Sequence, residues 1–89
     1  MTVERTATIR NRLGLHARPA AEVVKAASRF SCAVTLCKDG HCVNGKSIMG
    51  VMTLAAECGS TVMILCEGDD ADAAADALVG ALTKEYVEA

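Results

Sequence analysis

The hydrophobic period switches repeatedly between two residues and helical spacing, which limits the chain to folds where strands and amphipathic helices share a core. Val3, Ala7 and Ile9 lie on one side of the segment from Val3 to Arg10, and Glu4, Thr6 and Thr8 on the other, as in a half-buried strand. After the loop from Asn11 to Leu15, residues Ala20, Val23, Val24, Ala27 and Phe30 recur at helical spacing, so a first helix should end near Phe30. Cys32 to Lys38 alternates again, Asp39-Gly40 favours a tight hairpin turn, and His41 to Val43 lead back. Ser47 is placed to cap a short second helix with the apolar face Ile48, Val51, Met52 and Ala55, stopped at Gly59. Thr61 to Glu67 reads as a fourth strand. Asp69, Asp70 and Asp72 then stand where a helix start favours acids, ahead of Ala71, Ala74, Ala75, Leu78 and Leu82 on one face of a helix running nearly to the C-terminus. The order β-α-β-β-α-β-α predicts an α+β two-layer open-faced sandwich, a four-stranded antiparallel sheet with three helices on one face.

A chain of 89 residues suits a single domain, 1–89. Phe30 and Tyr86 are its only aromatic residues, too few for a module that stacks single-stranded bases, and a net charge of −2 speaks against a phosphate-backbone binder. No nucleic-acid partner is expected. No apolar run approaches the roughly 18 residues of a membrane span and no secretory signal opens the chain, so a cytoplasmic protein without membrane insertion is expected. The five cysteines (Cys32, Cys37, Cys42, Cys58, Cys66) are odd in number, and without a secretory signal they read as reduced thiols, mostly small core residues. Cys37, His41 and Cys42 lie close across the predicted hairpin, but adjacent strand residues point to opposite faces, so no metal is expected there. Asp69, Asp70, Asp72 and Asp76 read as acids of a helix start and a solvated face.

Within NRLGLHARPAA, His16 stands immediately before the expected helix start, where backbone amides and the positive end of the helix dipole make a ready anion site. A neutral imidazole is a nucleophile near pH 7, and a helix terminus stabilises negative charge acquired by phosphorylation. Arg18 supplies a planar fork suited to phosphate oxygens. Pro19 stiffens the first turn without losing a helical hydrogen bond, although it biases Arg18 away from helical angles, which leaves open a start at Pro19. Gly14 lets the preceding loop turn tightly. The blander alternative makes His16 a polar cap and Arg18 a solvated charge.

GLHARPAA followed by NGKSIMGVMTLAA, within this element order, resembles the HPr family, the histidine-containing phosphocarriers of the bacterial phosphoenolpyruvate:sugar phosphotransferase system and its nitrogen-branch relatives. The resemblance spans nearly the whole chain. It implies a carrier rather than an enzyme, without a cofactor, that receives a phosphoryl group from Enzyme I on Nδ1 of His16 and passes it to a IIA protein or domain. Arg18 then contacts the phosphoryl group and the Ala17 amide helps to hold it. Ser47 corresponds to the serine modified by HPr kinase/phosphorylase. Ile48, Met49 and Met52 fall in an apolar docking patch, with Lys25 as a cation at its rim. A monomer is expected. The other class of function is a regulatory binding protein of the same fold that signals through Ser47 without carrying phosphate, and the presence of His16 favours the carrier.

Two features of the second motif carry competing readings. GHCVNGKS also satisfies G-x-x-x-x-G-K-[ST], the phosphate-binding loop pattern, but its first glycine falls in a hairpin turn rather than after a buried parallel strand, so nucleotide hydrolysis is not expected. Ile48 and Met52 recur at helical spacing and suit a core position as well as a docking one, whereas Met49 lies off the apolar stripe.

Overall fold

The structure is a computed structural model that describes residues 1–86; the end of the expected domain span, residues 87–89, lies outside the described residues. Its elements are β1 (Thr2–Thr8), α1 (Ala17–Ser28), β2 (Ala33–Lys38), β3 (His41–Asn44), α2 (Ile48–Thr53), β4 (Thr61–Glu67) and α3 (Ala71–Thr83). The four strands form an antiparallel sheet in the order β1-β4-β2-β3, with the three helices on one face, as the periodicity predicts. Strand β4 is central because its alternate residues Val62, Ile64 and Cys66 are wholly buried. Cys66 pairs with Val3 and Val34, Ile64 with Leu36, and Val62 with Ala7, giving one continuous apolar surface for the helices. Helix α3 contributes Ala71, Ala74, Ala75, Leu78 and Leu82, the three alanines letting it lie close over β1 and β4. Strand β1 ends at Thr8, two residues before the expected boundary, although Ile9 still bonds Ser60 and Gly59 across the sheet.

Helix α2 departs from expectation. Gly59 does not stop it; the chain reverses at Ala55, which adopts φ +50°, and Gly59 instead serves the turn in which Ser60 N–H donates to Glu57 O. Alanine in this conformation costs about 1–2 kcal/mol relative to a right-handed one, so the bonds Leu54 N–H to Val51 O and Ala55 N–H to Met52 O must hold it. With six residues the helix turns inward only one wholly buried side chain, Val51, and Ile48 and Met52 remain outside.

Asp70 does more than mark a helix start. It occupies the N-cap position of α3 but makes no capping bond. Its carboxylate accepts Ser31 N–H at 2.8 Å, Cys32 N–H at 3.0 Å and Ser31 O–H at 3.3 Å, tying the α1–β2 turn to α3. These bonds, led by the one from the Ser31 amide, hold its carboxyl below the usual carboxylate range. A depressed folded-state value adds stability at pH above the ordinary carboxylate range and loses it as pH falls through the folded-state value. Asp70→Asn is therefore expected to be less stable than the parent at neutral pH, with the gap closing below about pH 4, as read from urea midpoints across pH.

The cysteines require a correction. Rather than five reduced thiols, the hairpin joins Cys37 of β2 to Cys42 of β3 in a disulfide, leaving Cys32, Cys58 and Cys66 free. The two-residue turn Asp39-Gly40, both with positive φ, places these residues directly opposite each other with Cα atoms 4.1 Å apart, close to the spacing of a non-hydrogen-bonded antiparallel pair. The sequence placed the two cysteines close across the hairpin, and the strand register sets them directly opposite each other. Cys32 and Cys66 are buried as expected, and burial followed by the neighbouring Asp70 pushes the Cys32 thiol up to about 11.

Candidate functional site

The loop from β1 into α1 is held at three points. Asn11, a buried polar side chain at 3% exposure, donates from Nδ2 to Gly14 O at 2.9 Å and accepts Tyr86 N–H on Oδ1 at 2.8 Å. Its own carbonyl accepts Gly14 N–H. Gly14 has φ +72°, and a Cβ there would run into Ala56 O and stand 3.1 Å from Glu57 Cα, so only glycine fits both the conformation and the close approach. The next residue completes the attachment, with Leu15 N–H donating to Ala56 O at 2.9 Å. Sequence reasoning assigned no part to Asn11. Its partners on the C-terminal segment lie far along the chain, and an asparagine before a glycine turn carries no sign of burial.

His16 follows as the N-cap of α1, with φ −80° and ψ −169°. Its carbonyl accepts the first intrahelical bond, from Ala20 N–H at 2.9 Å, but its ring makes no capping hydrogen bond. The polar-cap alternative for this histidine is therefore not the arrangement found. The ring is half-buried with Nε2 shielded from solvent. Helix α1 begins at Ala17 rather than Pro19, so the bias against a helical Arg18 is overridden. Ala17 and Arg18 are exposed in the first turn and Pro19 is buried beneath them. A nucleophilic ring, a helix start and a guanidinium thus share one exposed corner, an arrangement suited to holding an anion.

The second motif lies on α2, whose following loop carries the Ala56 attachment. Ser47 is its N-cap and accepts Gly50 N–H on Oγ at 3.1 Å, a contact worth about 1 kcal/mol. Met49, Ile48 and Met52 are 75%, 44% and 39% exposed, so the docking reading of these side chains is sterically open and the core reading is not found. Lys25 lines a groove between α1 and α3 with Glu22, Arg29, Lys84 and Tyr86. The phosphate-loop pattern is accounted for by other contacts. Gly45 packs on Val34, where a Cβ would be 2.6 Å from a methyl, and Lys46 Nζ donates to Phe30 O at 2.7 Å, closing the C-terminal end of α1. Among the described residues no cluster of three metal-binding side chains occurs, and no helix is long and apolar enough to cross a membrane.

Comparison with known proteins agrees with this fold. The family model described as the PTS HPr component phosphorylation site matches residues 3–84. The phosphocarrier protein HPr of Treponema pallidum is 46% identical over 86 residues, covering 97% of this chain and 98% of that protein. A crystal structure of the phosphocarrier protein HPr from Bacillus anthracis superposes with a TM-score of 0.88 at 43% identity, covering 92% of this chain and 98% of the other. The catabolite-repression protein Crh of Bacillus subtilis, whose crystal structure is described as a domain-swapped dimer, is 42% identical with a TM-score of 0.73, covering 90% and 92% of the two chains. The relatives named phosphocarriers are carriers rather than enzymes. Sequence and fold thus converge, and the chain belongs to the PTS HPr family.

Proposed function

We propose that this chain carries a phosphoryl group on His16, accepting it from phospho-Enzyme I and delivering it to a IIA protein or domain. The observation that carries this reading is the ring itself: it stands at the N-cap of α1 yet does no capping, and its Nε2 is shielded. Nδ1 is then the nitrogen that attacks. The lone pair of Nδ1 forms the new P–N bond as the bond from phosphorus to the donor histidine breaks, and Arg18 and the Ala17 amide take the phosphoryl oxygens. An exposed corner suits two partners that must reach it in turn.

Ser47 is the regulatory site in this reading. A phosphate on its Oγ would add nearly two negative charges beside Ile48, Met49 and Met52, and acidic docking partners would be repelled without unfolding the helix. A monomeric carrier is proposed, whereas the Bacillus subtilis Crh relative is described as a swapped dimer.

The test is incubation with Enzyme I and phosphoenolpyruvate, followed by intact mass before and after mild acid. One acid-labile phosphoryl group, mapped to the peptide holding His16, is the expected result. No adduct, from an Enzyme I that charges another carrier, rejects the reading.

A further inference from the structure

We propose that the Cys37–Cys42 disulfide is a reversible thiol redox site that fastens the edge strand β3 and that a dithiol reductant opens under native conditions. Three observations point to it. Strand β3 is four residues long, lies at the edge of the sheet and among the described residues pairs only with β2, so few hydrogen bonds hold it. The disulfide therefore closes a ladder that is weak by itself. The two sulfurs also differ in access: Cys37, flanked by Met63 of β4, is 8% exposed, whereas Cys42 is exposed on the outer strand. A thiolate arriving from solvent meets the Cys42 sulfur first. Finally, β3 leads directly into the second motif. His41 Nε2 stands 3.4 Å from Thr53 Oγ1 of α2, and Asn44 O accepts Ser47 N–H at 3.1 Å, so loosening β3 reaches the cap of α2.

The exchange balances as follows. A thiolate of the reductant attacks Cys42 Sγ, the bond to Cys37 breaks, and Cys37 leaves as a thiolate that takes a proton. The reductant's second thiolate then attacks its own sulfur in the mixed disulfide and releases Cys42 as a thiolate, which is protonated in turn. Two electrons and two protons pass to the protein, and the reductant ends as a disulfide. The three remaining cysteines do not compete: Cys32 and Cys66 are buried, and Cys58 has no opposing cysteine across a strand.

The full chain is equilibrated in mixtures of reduced and oxidised dithiothreitol without denaturant, quenched in acid, alkylated in denaturant and weighed intact. A single step is expected, from three alkylated thiols at the oxidising end to five at the reducing end, with peptide mapping assigning both new labels to Cys37 and Cys42. Across that step, amide exchange at Cys42 to Asn44 should quicken about tenfold or more while β4 is unchanged. A variant with both Cys37→Ser and Cys42→Ser should show no step and should exchange like the reduced parent, which also reports that the fold survives. Five labels throughout, three labels persisting at the reducing end, or a step that maps to Cys58 in a cross-linked dimer would each overturn the proposal. No phosphoryl transfer enters the measurement, so its outcome is independent of the carrier reading.

Discussion

Replacing His16 by glutamine is expected to abolish phosphoryl uptake from phospho-Enzyme I while shifting unfolding stability by no more than about 1 kcal/mol. The two effects separate because the residue's part in starting α1 is made by its backbone. The His16 carbonyl accepts the first bond of α1, and that contact survives any side chain. The ring provides no cap that glutamine would need to replace. A primary amide keeps the polarity and much of the volume of the ring, but its nitrogen lone pair is delocalised and does not attack phosphorus. Intact-mass time courses with Enzyme I and phosphoenolpyruvate, beside urea unfolding, give both readings from one preparation. An acid-labile adduct on His16→Gln would place the acceptor elsewhere and remove His16 from its role.

Gly14→Ala should be among the most destabilising single-methyl changes in the chain, at about 2–5 kcal/mol, and should also slow phosphoryl uptake. Two penalties add at this position. A left-handed φ costs alanine about 1–2 kcal/mol, and forced overlap in a packed region costs typically 1–3 kcal/mol. The overlap arises because the new Cβ would press on Ala56 O, the acceptor of the Leu15 amide next to His16. Relief requires the loop to move, and His16 with it. Gly40→Ala is the matched control: its φ is +82° but a Cβ there meets nothing within 4 Å, so only the conformational penalty of about 1–2 kcal/mol applies. Equal losses for the two variants in urea denaturation would show that the contact with Ala56 contributes nothing.

The fold was legible wherever one face of an element is buried over its full length. Strand β4 begins and ends where alternation places it, because its apolar period is uninterrupted, whereas the start of α1, left open between Ala17 and Pro19, is settled at Ala17 by the structure. The short helix was harder to read. A six-residue helix has too few turns for periodicity to distinguish an inward side from a docking side, and only Val51 is fully buried in it. Its end was misplaced because Gly59 is the residue type that commonly reverses a chain, whereas Ala55 does so here under tertiary constraint. The His16 and Ser47 motifs were visible as local strings. Their supports were not, since Asn11 meets Tyr86 and Asp70 meets Ser31 only after the chain has folded back. The disulfide likewise depends on register, which sets Cys37 opposite Cys42.

The sheet order β1-β4-β2-β3 has a kinetic consequence. The first strand has no neighbour until the fourth is available, so the central pairing of the molecule joins distant parts of the chain. Such high contact order slows folding relative to locally connected folds. The loop before His16 is bound by the same delay, because its anchors at Ala56 and Tyr86 are made long after His16 itself. During synthesis the histidine leaves the ribosome early, but the corner that presents it forms only once the later elements dock. A nascent or partly folded chain therefore displays His16 without the corner that positions it, so on the proposed function loading with phosphate would report that folding is finished.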